Sequence, residues 1–151
     1  MPAVALSGSD TLSINNHVFA DFADATVAEL TFPNEIAQVK TGKNGNSIYG
    51  LNETGKNADL KIRVLRASND DRFLNALMAQ QQNNFAGFPL LIGEFTKKIG
   101  DGQGNIASDT YLVSGGIFVK QIEAKTNVVG ETDQSVAEYT IRWSNAPRAI
   151  T

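Results

Sequence analysis

Cysteine is absent from the chain and histidine occurs once, at His17. The first absence excludes disulfides, a thiolate nucleophile and any Cys-ligated zinc or iron–sulfur centre. The second leaves a catalytic triad or a His-based metal site resting on a single imidazole. Positive charge is also scarce: 13 Lys and Arg stand against 16 Asp and Glu, a net charge of -3, so the domain as a whole does not hold nucleic acid by a cationic surface. No apolar run approaches the roughly 20 residues that span a bilayer. The longest, Phe88-Pro89-Leu90-Leu91-Ile92, has the length of a core strand. Met1 to Ser7 lacks the basic start and long apolar stretch of a secretory signal, so the expectation is a protein that stays on the cytoplasmic side of the cell that makes it. The Asn52-Glu53-Thr54 triplet fits the glycosylation pattern, but without such a signal it is a chance match.

What is present suits a globular fold. Hydrophobic residues make up 42% of the 151 residues, enough for a core and too many for a disordered tail. The length fits one domain, residues 1–151, and no linker or internal repeat divides it.

The hydrophobic pattern is mostly of period two, the mark of half-buried strands. Leu12, Ile14, Val18 and Phe19 flank Asn15-Asn16, a pair that tolerates positive φ, which predicts a short hairpin. Strands are expected at 27–32, at 36–39 and at 47–51, separated by polar, glycine-bearing turns. In Asp59-Leu60-Lys61-Ile62-Arg63-Val64 the apolar residues alternate with charged ones, so one face is core and the other charged. One helix is predicted over about residues 70–82. Ser68 or Asn69 caps it, Asp70 and Asp71 sit in the first turn at the positive end of the dipole, and Phe73, Leu74, Leu77 and Met78 form its apolar stripe. Strand patterns return at 88–95, 111–114, 117–124 and 137–144. In the last, Ala137, Tyr139, Ile141 and Trp143 share a face opposite Glu138, Thr140 and Arg142. About eight strands and one helix suggest a mainly β protein, an antiparallel β-sandwich or barrel with one flanking α-helix.

The candidate chemistry is thin. Gly100 to Asn105 lacks the Lys-Ser/Thr of a phosphate loop, the third glycine of the dinucleotide fingerprint and the ligand spacing of a calcium loop, and reads as a hairpin tip. Asp70-Asp71 does not make a catalytic pair, because adjacent helical residues do not face each other. His17 has no evident partner and reads as a solvated or hydrogen-bonded strand residue, and Trp143 as core. Lys61, Arg63 and Arg66 form a basic stripe, but Glu53 and Asp59 interrupt its neighbourhood and no aromatic interleaves it as a stacking platform requires. No catalytic, cofactor-binding or metal-binding residues are assigned, and the expectation is a non-enzyme without cofactors.

Charge is unevenly laid out. Asp10, Asp21, Asp24, Glu29 and Glu35 precede any Lys or Arg, and six basic residues against two acids follow between Lys40 and Arg66. An acidic and a basic half on one small domain favour head-to-tail pairing of copies, which generates rings or open filaments.

The order of these elements resembles the small tail tube proteins of contractile-tailed bacteriophages. The residues that carry the likeness are Gly42-Lys43-Asn44-Gly45-Asn46-Ser47, then Gly55-Lys56-Asn57-Ala58-Asp59-Leu60-Lys61-Ile62-Arg63-Val64-Leu65 running into Ser68-Asn69-Asp70-Asp71 with Leu74 and Leu77, then Phe88-Pro89-Leu90-Leu91-Ile92 and a closing strand ending in Arg142-Trp143. It spans about residues 10–146 and has no catalytic signature. The resemblance implies a tail-tube-like β-sandwich or barrel whose copies form rings, six to a ring, that stack into the inner tail tube conducting phage DNA into the host. It implies self-association, with tail sheath, baseplate and tail-terminator proteins as partners, DNA passing without specific binding, no membrane, and a place in the virion tail after synthesis in the host cytoplasm. It also implies a long loop reaching the next ring. By position this is the stretch with Lys40, Gly42, Lys43, Asn44, Gly45, Asn46, Ser47 and Lys56. Related tubes of type VI secretion systems and phage-derived bacteriocins share the pattern, and a monomeric β-sandwich binding module is the alternative outside that group.

Overall fold

The computed structural model describes residues 5–6, 11–23, 28–124 and 135–151. Twelve strands and one α-helix are present among them: β1 (Ala5–Leu6), β2 (Thr11–Ile14), β3 (His17–Val18), β4 (Ala28–Thr31), β5 (Ala37–Thr41), β6 (Ser47–Leu51), β7 (Ala58–Leu65), α1 (Asn69–Asn83), β8 (Leu91–Gly100), β9 (Ile106–Phe118), β10 (Glu123–Ala124), β11 (Val136–Trp143) and β12 (Arg148–Ile150). A 3-10 turn, Glu53–Lys56, precedes β7. β1 and β12, of two and three residues, are not among the expected strands, being too short to show a period. The strands expected at 111–114 and 117–124 are instead one strand, β9, from Ile106 to Phe118, with only Glu123–Ala124 of the remainder paired as β10. The run from Phe88 becomes a strand only at Leu91, after Pro89, whose missing N–H cannot serve a ladder.

All strand pairs are antiparallel, and ten strands form one sheet in the order β3-β2-β8-β9-β11-β7-β4, with β1 on β8, β10 on β11 and β12 on β9. This sheet folds over on itself because β9 belongs to both halves. Its first part pairs with β8 and β12, and its last two residues, Ile117 and Phe118, pair with β11. The bend sits at a bulge: Leu91 faces Gly116 while Ile92 faces Ser114, so Gly115 is the extra residue. Gly115 has φ +65, and a Cβ there would lie 2.0 Å from Ser144 Oγ, so both the backbone angle and the space require glycine. Gly116 abuts the indole of Trp143, leaving no room for a Cβ.

The two halves enclose the core. Leu12, Ile14, Leu91 and Val113 from one half meet Leu60, Ile62, Val64, Tyr139, Ile141 and Trp143 from the other. The alternation seen in the sequence at β7 and β11 is therefore the boundary between core and surface, with the β7 residues Ala58, Leu60, Ile62 and Val64 all fully buried. Leu60, Ile62 and Val64 each contribute about 1.5–3 kcal/mol through lost apolar exposure. The hairpin at Asn15-Asn16 forms as expected, with φ of 51 and 69, and joins β2 to β3. Val18, however, is exposed, while Leu12, Ile14 and Phe19 are buried.

Helix α1 closes the open side. Ser68 is the N-cap and its Oγ accepts from Asp71 N at 3.2 Å. Leu74 and Met78 enter the core, with Phe73 and Leu77 packed at its margin. Near the other end, the buried Gln81 amide holds the backbone of Phe118: Nε2 donates to Phe118 O and Oε1 accepts from Phe118 N, both at 2.8 Å. The helix thus supplies the hydrogen bonds of a missing strand at the end of β9.

Candidate assembly surface

Strands β5 and β6 stand apart from the main sheet as a two-stranded hairpin. Their register runs from Ala37 opposite Leu51 to Thr41 opposite Ser47. The turn between them is closed by Gly42 N donating to Asn46 O at 2.7 Å and Gly45 N to Gly42 O at 3.0 Å, and Gly45 takes φ +85. The strands expected at 36–39 and 47–51 thus pair with each other, and the long loop that the resemblance implied is a hairpin arm with its tip at 42–46. Its feet are tied to the body: Asn52 N donates to Ile36 O at 2.9 Å, Asn34 Nδ2 to Thr54 O at 3.4 Å, and the buried Gly55 packs on the backbone of Glu35 and Ile36.

Pairing sorts the arm into two faces. Ala37, Val39 and Thr41 of β5 lie opposite Leu51, Tyr49 and Ser47 of β6, while Gln38 and Lys40 lie opposite Gly50 and Ile48 on the other side. The first face is apolar and uncovered. Tyr49 is 75% exposed, Leu51 78% and Val39 59%; the other face carries Ile48, 75% exposed, among the polar Gln38 and Lys40. Isolated exposed apolar residues are ordinary, but a contiguous set on one face of a hairpin marks a contact surface. A lone two-stranded hairpin is at best marginally stable in water, so this arm needs something to pack on.

The structure brings together most of the residues nominated from sequence. Lys40 lies in β5, Gly42, Lys43, Asn44, Gly45 and Asn46 form the tip, and Ser47 opens β6 with its hydroxyl 3.1 Å from that of Thr41. Lys56 lies apart, in the 3-10 turn at the foot, where its Nζ is 3.9 Å from Glu53. Sequence reading passed over Val39, Tyr49 and Leu51. Their alternation was visible, but it matches that of a core-facing strand.

The remaining nominated groups are engaged within the fold. The Asp70 carboxylate, 2% exposed, accepts from Ala20 N at 2.8 Å, Asp21 N at 2.7 Å and His17 Nε2 at 2.8 Å. His17 also stacks on Phe73, with ring centroids 4.1 Å apart. The single imidazole thus has a partner 53 positions away, and the pair ties β3 and its following segment to the start of α1. Asp71 accepts from Ala67 N at 2.8 Å and from the Tyr139 hydroxyl at 2.6 Å. Burial first, and then this hydrogen bond to Asp71, push the Tyr139 phenol well above its ordinary range, so it remains a proton donor. The turn at 101–105 is a hairpin tip: Asp101 accepts from Gln103 N, Asn105 N and Asn105 Nδ2. Among the described residues no group of three or more His, Cys, Asp or Glu is placed to hold a metal ion, and no helix is long and apolar enough to cross a membrane.

The basic stripe is balanced in space. Lys61 lies opposite Glu29 on β4 and Thr140 on β11, and Arg63 lies opposite Glu138, all four charges lining a depression of about 230 Å³. Arg142 grips Asp59 with two bonds, at 2.8 and 3.2 Å. Glu29, from the acidic first stretch, thus faces Lys61, from the basic second one, within one sheet.

Three solved structures share this fold over nearly the whole chain. A chain of the extended sheath–tube complex of the PVC extracellular contractile injection system matches with a TM-score of 0.61 at 9% identity, covering 94% of this chain and 88% of that one. A chain from the tube-terminating cap of the anti-feeding prophage matches with a TM-score of 0.60 at 7% identity and the same coverage. A chain from the PVC sheath/tube terminator in the extended state matches with a TM-score of 0.56 at 9% identity, covering 93% and 92%. The tail-tube-like, mainly β fold expected from the sequence is therefore the fold of this chain. No protein-family model and no curated protein matches the sequence.

Proposed function

We propose that this chain, as one domain over residues 1–151, is the structural subunit of a tube in a contractile particle. Copies associate into rings, six to a ring, and the rings stack. The observation that carries the reading is the fold match across 94% of the chain to a component of a sheath–tube complex. The arm supports it independently, since its apolar face requires a covering surface that the described body does not supply. In this reading the tip residues Gly42, Lys43, Asn44, Gly45 and Asn46, with Lys40 and Ser47 on the flanking strands, reach the next ring, Val39, Tyr49 and Leu51 supply the buried contact, and Lys56 steadies the foot. Sheath, baseplate and terminator proteins are the expected partners. In a phage the tube conducts DNA out of the capsid and belongs to the virion tail. The solved neighbours, which come from extracellular injection particles, favour a second reading in which the same tube serves a particle of that kind.

Negative-stain electron microscopy of the purified chain over a concentration series tests the proposal. Rings or hollow tubes of uniform width are expected. Deleting residues 42–46 should leave a folded subunit that no longer stacks. Normal tubes from the deletion variant would remove the arm from the mechanism, and dispersed particles of about 16.2 kDa at every concentration would favour a monomeric binding module.

A further inference from the structure

The folded sheet has two outward faces of opposite chemistry. On β4, β7 and β11 the outward positions include Glu29, Asp59, Lys61, Arg63, Glu138 and Arg142, a charge-dense surface. On β2, β8 and β9 the register sets Thr11, Thr96 and Thr110 in one row across three strands. The Thr96 and Thr110 hydroxyls lie 3.3 Å apart. Ser13, Ser108 and Ser114 occupy neighbouring rows. Ile92 and Leu112 add apolar but uncharged surface, and the only charges at outward positions of these strands are Glu94 and Lys98. The two cancel within each copy and lie about 13 Å apart along β8. None of these outward residues is buried.

Resting on the tube reading, we infer that the outward face of β2, β8 and β9 is the wall of the channel. A passage for a long polyanion must not hold it. Lysines and arginines facing phosphates bind through counterion release, each adding to affinity, and the face of β4, β7 and β11 carries three such groups per copy, Lys61, Arg63 and Arg142, each set beside a carboxylate that would in turn repel a phosphate. The hydroxyl face carries one cation and one carboxylate, so it has the fewer charges of either sign to catch a passing chain. Its short Ser and Thr side chains remain hydrated and give a passing chain no pocket to settle in. β8 and β9, with 10 and 13 residues, are also the longest strands among the described residues, so this face makes the tallest wall that they present. Such a wall does not select by charge, and an uncharged or mildly acidic polypeptide passes it as freely as nucleic acid.

The absence of cysteine makes the test direct, because every introduced thiol is unique. Thr110→Cys, Lys61→Cys and Asn75→Cys, the last on the exposed side of α1, are assembled into short open-ended tubes verified by microscopy. Each is treated with a small maleimide and with a maleimide on a polyethylene glycol chain too bulky for the channel. Thr110→Cys is expected to react with the small reagent alone in tubes and with both reagents when unassembled. Asn75→Cys and Lys61→Cys should not show that small-only pattern. Reaction of Thr110→Cys with the bulky reagent in tubes, protection from both reagents, or a small-only pattern at Lys61→Cys would overturn the inference while leaving the tube intact. If the unmodified chain forms no tubes, the tube reading itself fails, and that is seen before any labelling. Should Thr110→Cys block assembly, Ser108→Cys carries the same comparison.

Discussion

Replacing Gln81 by leucine isolates the contact that joins α1 to β9. The side chain is 7% exposed and makes two 2.8 Å bonds to the backbone of Phe118, itself 5% exposed. Leucine has nearly the volume of glutamine, so little cavity forms, but Phe118 N and O lose their partners. An unpaired buried polar group costs about 1–3 kcal/mol, giving roughly 2–6 kcal/mol for the two. Greater apolar burial by leucine returns about 1–2 kcal/mol. The net loss is therefore about 0–5 kcal/mol, with a middle value of roughly 2–3, a sizeable part of the roughly 5–15 kcal/mol that holds a domain folded. At roughly 2–4 °C per kcal/mol, a 3 kcal/mol loss lowers the melting point by about 6–12 °C. Trp143 is the only tryptophan and is fully buried, so its emission follows unfolding directly in urea or on heating. Gln81→Glu sharpens the test. A carboxylate can accept from Phe118 N but cannot donate to Phe118 O, whereas the protonated acid does both. The folded state raises the pKa of this glutamate, so its stabilising contribution is present below the unfolded value near 4.3 and is lost as pH rises. A Gln81→Leu variant more stable than the parent, or a Gln81→Glu variant whose stability relative to the parent is flat with pH, would refute the account.

Three further outcomes follow from the same structure. Asp70→Ala removes the acceptor of three short bonds and should cost about 3 kcal/mol or more in urea denaturation, whereas His17→Ala, which leaves the two backbone bonds in place, should cost roughly 1 kcal/mol. Gly116→Ala would place a Cβ 2.4 Å from the Trp143 ring, and overpacking of about 1–3 kcal/mol together with a displaced Trp143 emission maximum is expected. Asp109 is held below its ordinary value of 3.8 chiefly by its hydrogen bonds from Arg148. A depressed carboxylate pKa stabilises above the unfolded value and is lost as pH falls through the folded one, so β12 should loosen only in acid. An NMR titration of the Asp109 carboxyl should give a midpoint below 3.8, returning towards it in Arg148→Ala.

The parts legible in the sequence were those set by local pattern. Alternation at β7 and β11 placed the core, Ser68 and the two aspartates placed the start of α1, and Asn15-Asn16 placed a hairpin. What escaped was set by distant partners. The His17–Asp70 bond spans 53 positions, and no periodicity announces it. That β9 serves two halves of the sheet depends on Gly115, which by itself reads as an ordinary break between two strands. The arm shows the limit most clearly. Val39, Tyr49 and Leu51 alternate as core residues do, and alternation reports which side chains share a face but not whether anything covers it.

The shared strand also determines how the subunit bears load. β8, β12 and β11 all hang on β9, so a pull on either face reaches the other through one continuous backbone and its ladders rather than through side-chain contacts alone. Two separately hydrogen-bonded sheets could slide or peel apart at modest cost. Here they cannot part until ladder bonds at Ile117 and Phe118 break together with the Gln81 clamp, which makes the seam between the halves a mechanically protected point instead of the weak plane of a sandwich.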